Sequence, residues 1–193
     1  MNVYKLKQYI RMRYQKDASP NLTYHGFHHT LDVLNACNLY IVRYNIQEHP
    51  AVLLRTAALL HDIGIIYDYF NHEWMGTLIA KELLPEWGYG DDDIETVCSM
   101  IMATKIPQSP SNMLEKILCD SDLDYLGSDH FYATGQSLFR ELTAFQIVHS
   151  EEEWDRMQIS FLQNHQYHTD FALRNREPVK RMYLQEIKAR YGW

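Results

Sequence analysis

Residues 51–63, AVLLRTAALLHDI, are apolar around nearly the whole circumference of a helix. A helix that is apolar on all sides is typical of the buried centre of a fold. The segment ends on His61 and Asp62, which bring an imidazole and a carboxylate to the end of this apolar helix. Because a charged carboxylate in apolar surroundings costs several kcal/mol unless something pairs with it, Asp62 needs a partner.

Helical periodicity continues on both sides of this segment. Asp91–Asp93 are expected to supply an N-cap and an acidic first turn for one helix, and Ser111 to cap the next. No alternating strand pattern exceeds a few residues, so the predicted fold class is all-α, a compact multi-helix bundle. Besides the central segment, helices are predicted over residues 27–45, 74–83, 91–101, 111–119, 130–145, 151–164, 167–175 and 178–191.

The length and the charge distribution restrict the class of protein. A chain of 193 residues with 46% hydrophobic and 22% charged residues predicts a single globular domain over residues 1–193. The net charge is −7, and residues 61–100 carry one basic against nine acidic side chains. Duplex binding rests on clustered cations, so no nucleic-acid duplex is expected as a partner. Oligomeric state stays open, a homo-oligomer included.

Composition also bears on the cellular compartment. No apolar run is long enough for a transmembrane helix, and the start of the chain lacks the features of a signal peptide, so no membrane association is expected. The cysteines, Cys37, Cys98 and Cys119, are odd in number and form no CxxC motif. Reduced, buried thiols in the cytoplasm fit this pattern better than disulfides or a cysteine zinc site.

Histidine and aspartate are concentrated in three segments. Residues 24–33 read YHGFHHTLDV, residues 59–64 read LLHDIG, and residues 117–127 read ILCDSDLDYLG. Imidazole and carboxylate together suit a divalent ion such as zinc, iron, manganese, cobalt or nickel, and magnesium is kept as a further candidate. The chain therefore predicts a divalent-metal site near Asp62, with one ion expected and two as the alternative.

In this order on a helical chain, the three segments resemble the HD-domain superfamily of metal-dependent phosphohydrolases, defined by a His, a later His-Asp doublet and a later Asp. The resemblance covers residues 24–127 and implies that residues 128–193 form a helical carboxy-terminal extension. It implies His29, His61, Asp62 and Asp122 as metal ligands, with Asp120 as the alternative to Asp122. The opening segment also resembles cyclic-nucleotide phosphodiesterases, which implies His25 as general acid.

Further roles follow from chemistry and spacing. If Asp62 bridges to a second ion, His72, ten residues on, is the best-placed extra ligand. Asp32 is a candidate to orient the ring of His29. Lys105 is a candidate cation for a substrate phosphate, with a solvated surface lysine as the alternative, and His28 is expected to be a neighbour of the site and no ligand.

The predicted function is hydrolysis of a phosphomonoester or phosphodiester, a small molecule resembling a nucleotide, by a metal-activated water. A di-iron oxygenase on the same scaffold is one alternative, and it needs additional histidine ligands. A metal- or nucleotide-binding regulatory domain without turnover is another.

Overall fold

The protein is all-α, which confirms the predicted fold class. The computed structural model describes residues 1–192, in which ten α-helices and three 3₁₀ turns occur and no β-strand. Within these residues no helix has the length and apolarity needed to cross a bilayer. The chain divides into two compact units, one of residues 1–19 and 25–122 and the other of residues 20–24 and 123–192. The single domain over residues 1–193 stays a prediction.

Six helices build the first unit. No helix was predicted at the start of this unit, over Val3–Asp17. The buried residues Leu6, Ile10 and Tyr14 nevertheless recur there at every fourth position. Two 3₁₀ turns, Ile63–Ile66 and Pro85–Trp87, interrupt the helices. The helices are α1 (Val3–Asp17), α2 (Phe27–Arg43), α3 (Glu48–Leu60), α4 (His72–Leu83), α5 (Asp91–Ala103) and α6 (Met113–Asp122).

Helix α3 is the centre of the first unit, as its apolar pattern predicted. It packs against α1, α2, α5 and α6, and every residue from 56 to 60 is buried. Its predicted bounds of 51–63 are wrong by three residues at each end. The helix begins at Glu48 because Pro50 falls in the first turn, where a missing N–H is tolerated. It ends at Leu60, so His61 and Asp62 follow its last turn.

Both predicted helix caps are wrong by one residue. Gly90 is the N-cap of α5, and Asp91–Asp93 lie in the first turn, where their charges favour the helix dipole. At α6, the Oδ1 atom of Asn112 accepts a hydrogen bond from the backbone N–H of Glu115 at 3.1 Å. The N–H and Oγ of Ser111 instead donate to the Glu115 carboxylate, at 2.6 and 2.8 Å.

The second unit has four helices and its own hydrophobic core, to which Phe131, Ile159 and Ile187 contribute. A 3₁₀ turn, Asp124–Gly127, precedes the first helix. Its third helix begins three residues later than the predicted 167, because the Oγ1 of Thr169 caps it by accepting from the N–H of Ala172 at 3.3 Å. The helices are α7 (Phe131–Ala144), α8 (Glu151–Asn164), α9 (Asp170–Asn175) and α10 (Glu177–Arg190).

Two glycines allow α4 to lie close to the end of α3. A Cβ atom built on Gly64 would meet the carbonyl oxygen of His72 at 2.1 Å and the nitrogen of Gly76 at 2.6 Å. One built on Gly76 would meet the carbonyl oxygen of Leu60 at 3.2 Å. Because backbone atoms cannot rotate away as a side chain can, the missing side chain at Gly64 fixes where α4 begins, and with it the position of His72.

We expect Gly64→Ala to destabilise the first unit, because its methyl group displaces the start of α4. Overpacking against backbone costs about 1–3 kcal/mol or more, which lowers the melting temperature by about 2–12 °C for a chain of this size. Differential scanning calorimetry of the metal-free protein measures the change. Gly90→Ser is the matched control, since its Cβ would have no atom within 4 Å and serine is a favoured residue at this N-cap position. Equal melting temperatures for the two variants would contradict the packing argument.

Candidate metal centre

Three predicted ligands of the first unit, His29, His61 and Asp122, form a group whose donor atoms all lie within 4.8 Å of one another, and Asp62 contacts both imidazoles of this group. The Nε2 atom of His29, on α2, lies 3.1 Å from Oδ1 of Asp122 at the end of α6. It lies 3.4 Å from both the Nε2 of His61 and the Oδ2 of Asp62. The Nε2 of His61 is 3.2 Å from Asp62 Oδ2 and 3.5 Å from Asp122 Oδ1. Residues 93 positions apart in sequence are thus in direct contact.

This spacing fits a shared metal ion. With metal–ligand bonds of about 2.0–2.2 Å, neighbouring donor atoms on one tetrahedral or octahedral ion lie about 3.0–3.5 Å apart. All five distances fall in this range. Asp62 is 5% exposed, and its Oδ2 atom accepts no hydrogen bond from residues 1–192. A buried carboxylate oxygen without a hydrogen bond, facing two imidazole nitrogens, is explained by a cation bound between them.

Backbone carbonyls orient two of the imidazole rings. The Nδ1 of His61 lies 2.9 Å from the carbonyl oxygen of Ala58, and the Nδ1 of His72 lies 2.9 Å from that of Tyr69. A carbonyl only accepts, so Nδ1 carries the proton in both rings and Nε2 is left to bind an ion. Asp32 is exposed, so the orienting role predicted for it has no support in the structure.

The charges of the cluster shift the pKa values of its members. Burial by itself would lower the pKa of His61, but the charges of Asp62 and Asp122 outweigh burial and raise it well above the usual range. Burial would raise the pKa of Asp62, yet the charge of His61 holds it well below the usual range. His29 and His61 likewise overcome burial at Asp122 and lower its pKa to about 2. Without an ion, the cluster therefore holds a proton on imidazole.

Asp62 also reaches toward the predicted second-ion ligand. Its Oδ1 lies 3.5 Å from Nε2 of His72, while its Oδ2 faces His29 and His61. A carboxylate that presents one oxygen to each of two sites is arranged to bridge two ions. Glu73, which was not predicted as a site residue, is buried with its Oε1 atom 3.5 Å from Nε2 of His72. An acidic residue in the first turn of a helix is ordinary, which conceals it in the sequence.

His25 lies beside the cluster and does not belong to the group of donor atoms formed by His29, His61 and Asp122. Its ring centroid is 6.2 Å from that of His29, 5.6 Å from that of His72 and 5.9 Å from that of Tyr69. The side chain is half-buried, whereas the neighbouring His28 is exposed. The structure therefore brings His25 close to the ligands without making it one of them.

Two other predicted positions differ in their outcome. Asp122 lies in one group with His29 and His61, and Asp120 does not, which favours Asp122 as the last predicted ligand. Lys105 is exposed and lines a separate cavity of about 460 Å³, together with Ser99 and Glu115. No predicted metal ligand lines that cavity. The phosphate contact of Lys105 therefore stays a prediction.

Comparison with known proteins assigns the family. Residues 26–125, more than half of the chain, match the model of the HD domain, and the chain belongs to this family. The chain also resembles the crystal structure of a predicted HD superfamily hydrolase from an uncultured Thermotogales bacterium. The TM-score is 0.59 at 19% identity, with 97% of this chain and 92% of that chain covered, a likeness of fold. No curated protein matches.

We expect His61→Ala, Asp62→Ala and Asp122→Asn each to lose the bound ion. Removing a residue that only hydrogen-bonds to a metal ligand costs about 10–100-fold in metal affinity. Removing a ligand itself is therefore expected to weaken metal binding by about 100-fold or more. Metal content per chain, measured by mass spectrometry after gel filtration, is the readout. His28→Ala, beside the ligand His29, is the matched control and keeps the ion. Unchanged metal content in the ligand variants would refute the site.

We expect metal binding to strengthen as the pH rises. Because the pKa of His61 is raised, protonation of its ring stabilises the folded metal-free protein. This stabilisation is complete below the ordinary histidine pKa of about 6.5 and is lost as the pH rises through the raised value. A metal ion binds only neutral imidazole, so its apparent affinity rises about 10-fold per pH unit below that pKa. The Mn²⁺-induced gain in melting temperature should therefore be larger at pH 8 than at pH 6. A gain independent of pH would contradict the protonation state described above.

Proposed function

We propose that the protein is a metal-dependent phosphohydrolase that cleaves a phosphomonoester or phosphodiester of a nucleotide-like small molecule. The observation that carries the proposal is the buried Asp62 carboxylate, whose Oδ2 lies within 3.4 Å of two imidazole nitrogens and accepts no hydrogen bond from residues 1–192. A purely structural cluster would satisfy this oxygen with a donor. A site for a cation leaves it open.

The residues present fit the metal that this chemistry needs. His29, His61, Asp62 and Asp122 would hold the ion, and His72 would join Asp62 at a second one. When bound, such an ion lowers the pKa of a water molecule and polarises a phosphate oxygen. Membership of the HD family and the likeness to a predicted HD superfamily hydrolase support a hydrolytic reaction. The buried cysteines, Cys37, Cys98 and Cys119, agree with the proposed cytoplasmic location.

His25 is proposed to protonate the leaving oxygen of the ester. It lies between the rings of His29 and Tyr69 and is half-buried, so it borders the ion without being fixed by coordination. An imidazole titrates near neutral pH, as a proton donor in this reaction requires. Lys105, exposed at a separate cavity, is poorly placed for the same role.

We expect His25→Ala to keep its metal ion and to lose about 10²–10⁴-fold in turnover on alkyl phosphates, the usual contribution of a positioned acid. Turnover of p-nitrophenyl phosphate should fall much less, because its leaving group needs little protonation. Phosphate release and metal content are measured together on the Mn²⁺-loaded protein.

The matched control for this experiment is His28→Ala, three residues along and exposed. Equal losses on both substrate types in His25→Ala would show that His25 binds substrate and does not donate the proton. Absence of phosphate release from a broad panel of phosphate esters, by wild-type protein with its full metal content, would refute the proposed function.

A further inference from the structure

A row of aromatic rings leads from the metal centre to the protein surface. Ring centroids follow one another from His29 to His25 at 6.2 Å, from His25 to Tyr69 at 5.9 Å, and from Tyr69 to Phe70 at 5.5 Å. The contacts are edge-to-face, with interplanar angles of 87°, 84° and 77°. Exposure rises along the row, from 5% at His29 to 74% at Phe70.

The segment that carries the outer two rings is held in one conformation by hydrogen bonds. Oδ1 of Asp68 accepts from the backbone N–H groups of Phe70 and Asn71 at 2.9 and 3.0 Å. Oδ2 of Asp68 accepts from the side-chain amide of Asn71 at 3.1 Å. The carbonyl of Tyr69 accepts from Nδ1 of His72. The segment that presents the rings is therefore the one that orients a proposed metal ligand.

An aromatic side chain as exposed as Phe70 lacks the burial that would stabilise it. Single exposed apolar residues are ordinary, but Phe70 lies three residues after Tyr67 and four before Trp74 in the sequence, and these two side chains are 56% and 52% exposed. Exposed aromatic rings on a preorganised segment beside a reaction centre provide a stacking surface for a planar ligand. Because Tyr69 contacts His25, the part of a ligand that lies next to the leaving oxygen would reach this surface.

We infer that Tyr69 and Phe70 form a subsite for a planar aromatic ring in the leaving group of the ester, and that they determine specificity. The inference rests on the proposed function, in which the phosphate is held at the metal and His25 faces the leaving oxygen. Since Tyr69 contacts both His25 and Phe70, the organic group of an ester whose leaving oxygen faces His25 would lie beside these two rings. Phosphate esters whose organic group carries a planar ring, as in a nucleoside, are preferred over those of sugars and polyols.

The test compares adenosine 5′-monophosphate with ribose 5-phosphate on the Mn²⁺-loaded protein. Both release phosphate from a primary 5′ carbon, and they differ in the planar base. We expect wild-type kcat/KM to be about 10-fold or more higher for the nucleotide, the size of effect that stacking of one base gives. Phe70→Ala and Tyr69→Leu should remove most of this preference, and Phe70→Ala should leave ribose 5-phosphate hydrolysis nearly unchanged.

Two controls separate stacking from a general loss of structure. Phe70→Trp keeps a planar ring and should keep the preference. Tyr4→Ala removes an aromatic side chain of α1 that is 69% exposed, and should change neither rate. Tyr69→Leu retains the backbone carbonyl that orients His72, so its metal content should equal that of the wild type.

The outcomes distinguish this inference from the proposed function. Hydrolysis of both compounds at equal kcat/KM, or an equal loss on both in Phe70→Ala, overturns the subsite and leaves the phosphohydrolase intact. If neither compound is hydrolysed, their dissociation constants are measured by calorimetry. Tighter binding of the nucleotide that is lost in Phe70→Ala then supports the subsite, and equal binding of both compounds overturns it. The proposed function is decided separately, by phosphate release from the broad panel of esters.

Discussion

The site depends on the burial of one carboxylate at the end of the most apolar helix. Asp62 follows α3, whose last five residues are all buried, so its charge lies far from solvent. Such a charge is tolerated only with a compensating positive charge nearby. The imidazoles of His29, His61 and His72 lie around it at 3.2–3.5 Å, and a divalent ion between them would compensate it more fully than protons can.

The supporting structure holds these groups by contacts that depend little on side-chain identity. Carbonyl oxygens of Ala58 and Tyr69 orient two imidazoles. Gly64 and Gly76 let the backbone of α4 approach the end of α3. A metal ligand must be placed to within a fraction of an ångström, and backbone atoms of helices move less than long side chains do. The rigidity of the first unit is therefore part of the chemistry of the site.

The short segment between the 3₁₀ turn at Ile63–Ile66 and α4 combines two tasks. Its backbone orients His72 through the carbonyl of Tyr69, and its side chains place aromatic rings beside His25. Positioning of a ligand and recognition of the organic group are thereby coupled within a few residues. A change of conformation in this segment would alter both at once, which explains the dense hydrogen bonding of Asp68.

The sequence alone determined the fold class, the central helix and the set of residues from which a metal site could be built. The fold class and the central helix follow from local periodicity, and the need for a partner at Asp62 follows from the cost of burying its charge. The particular set of ligands was implied by the resemblance to the HD-domain superfamily. The sequence did not indicate the helix over Val3–Asp17 or the burial of Glu73.

Tertiary structure decided which of the candidate residues meet. Asp120 and Asp122 are equivalent candidates in the sequence, but only Asp122 lies in one group with His29 and His61. The row of rings from His29 through His25 to Phe70 could not be seen either, because His25 and Tyr69, 44 positions apart, come together only through helix packing. Local patterns encode each helix, whereas the direction in which its side chains converge depends on how distant helices pack.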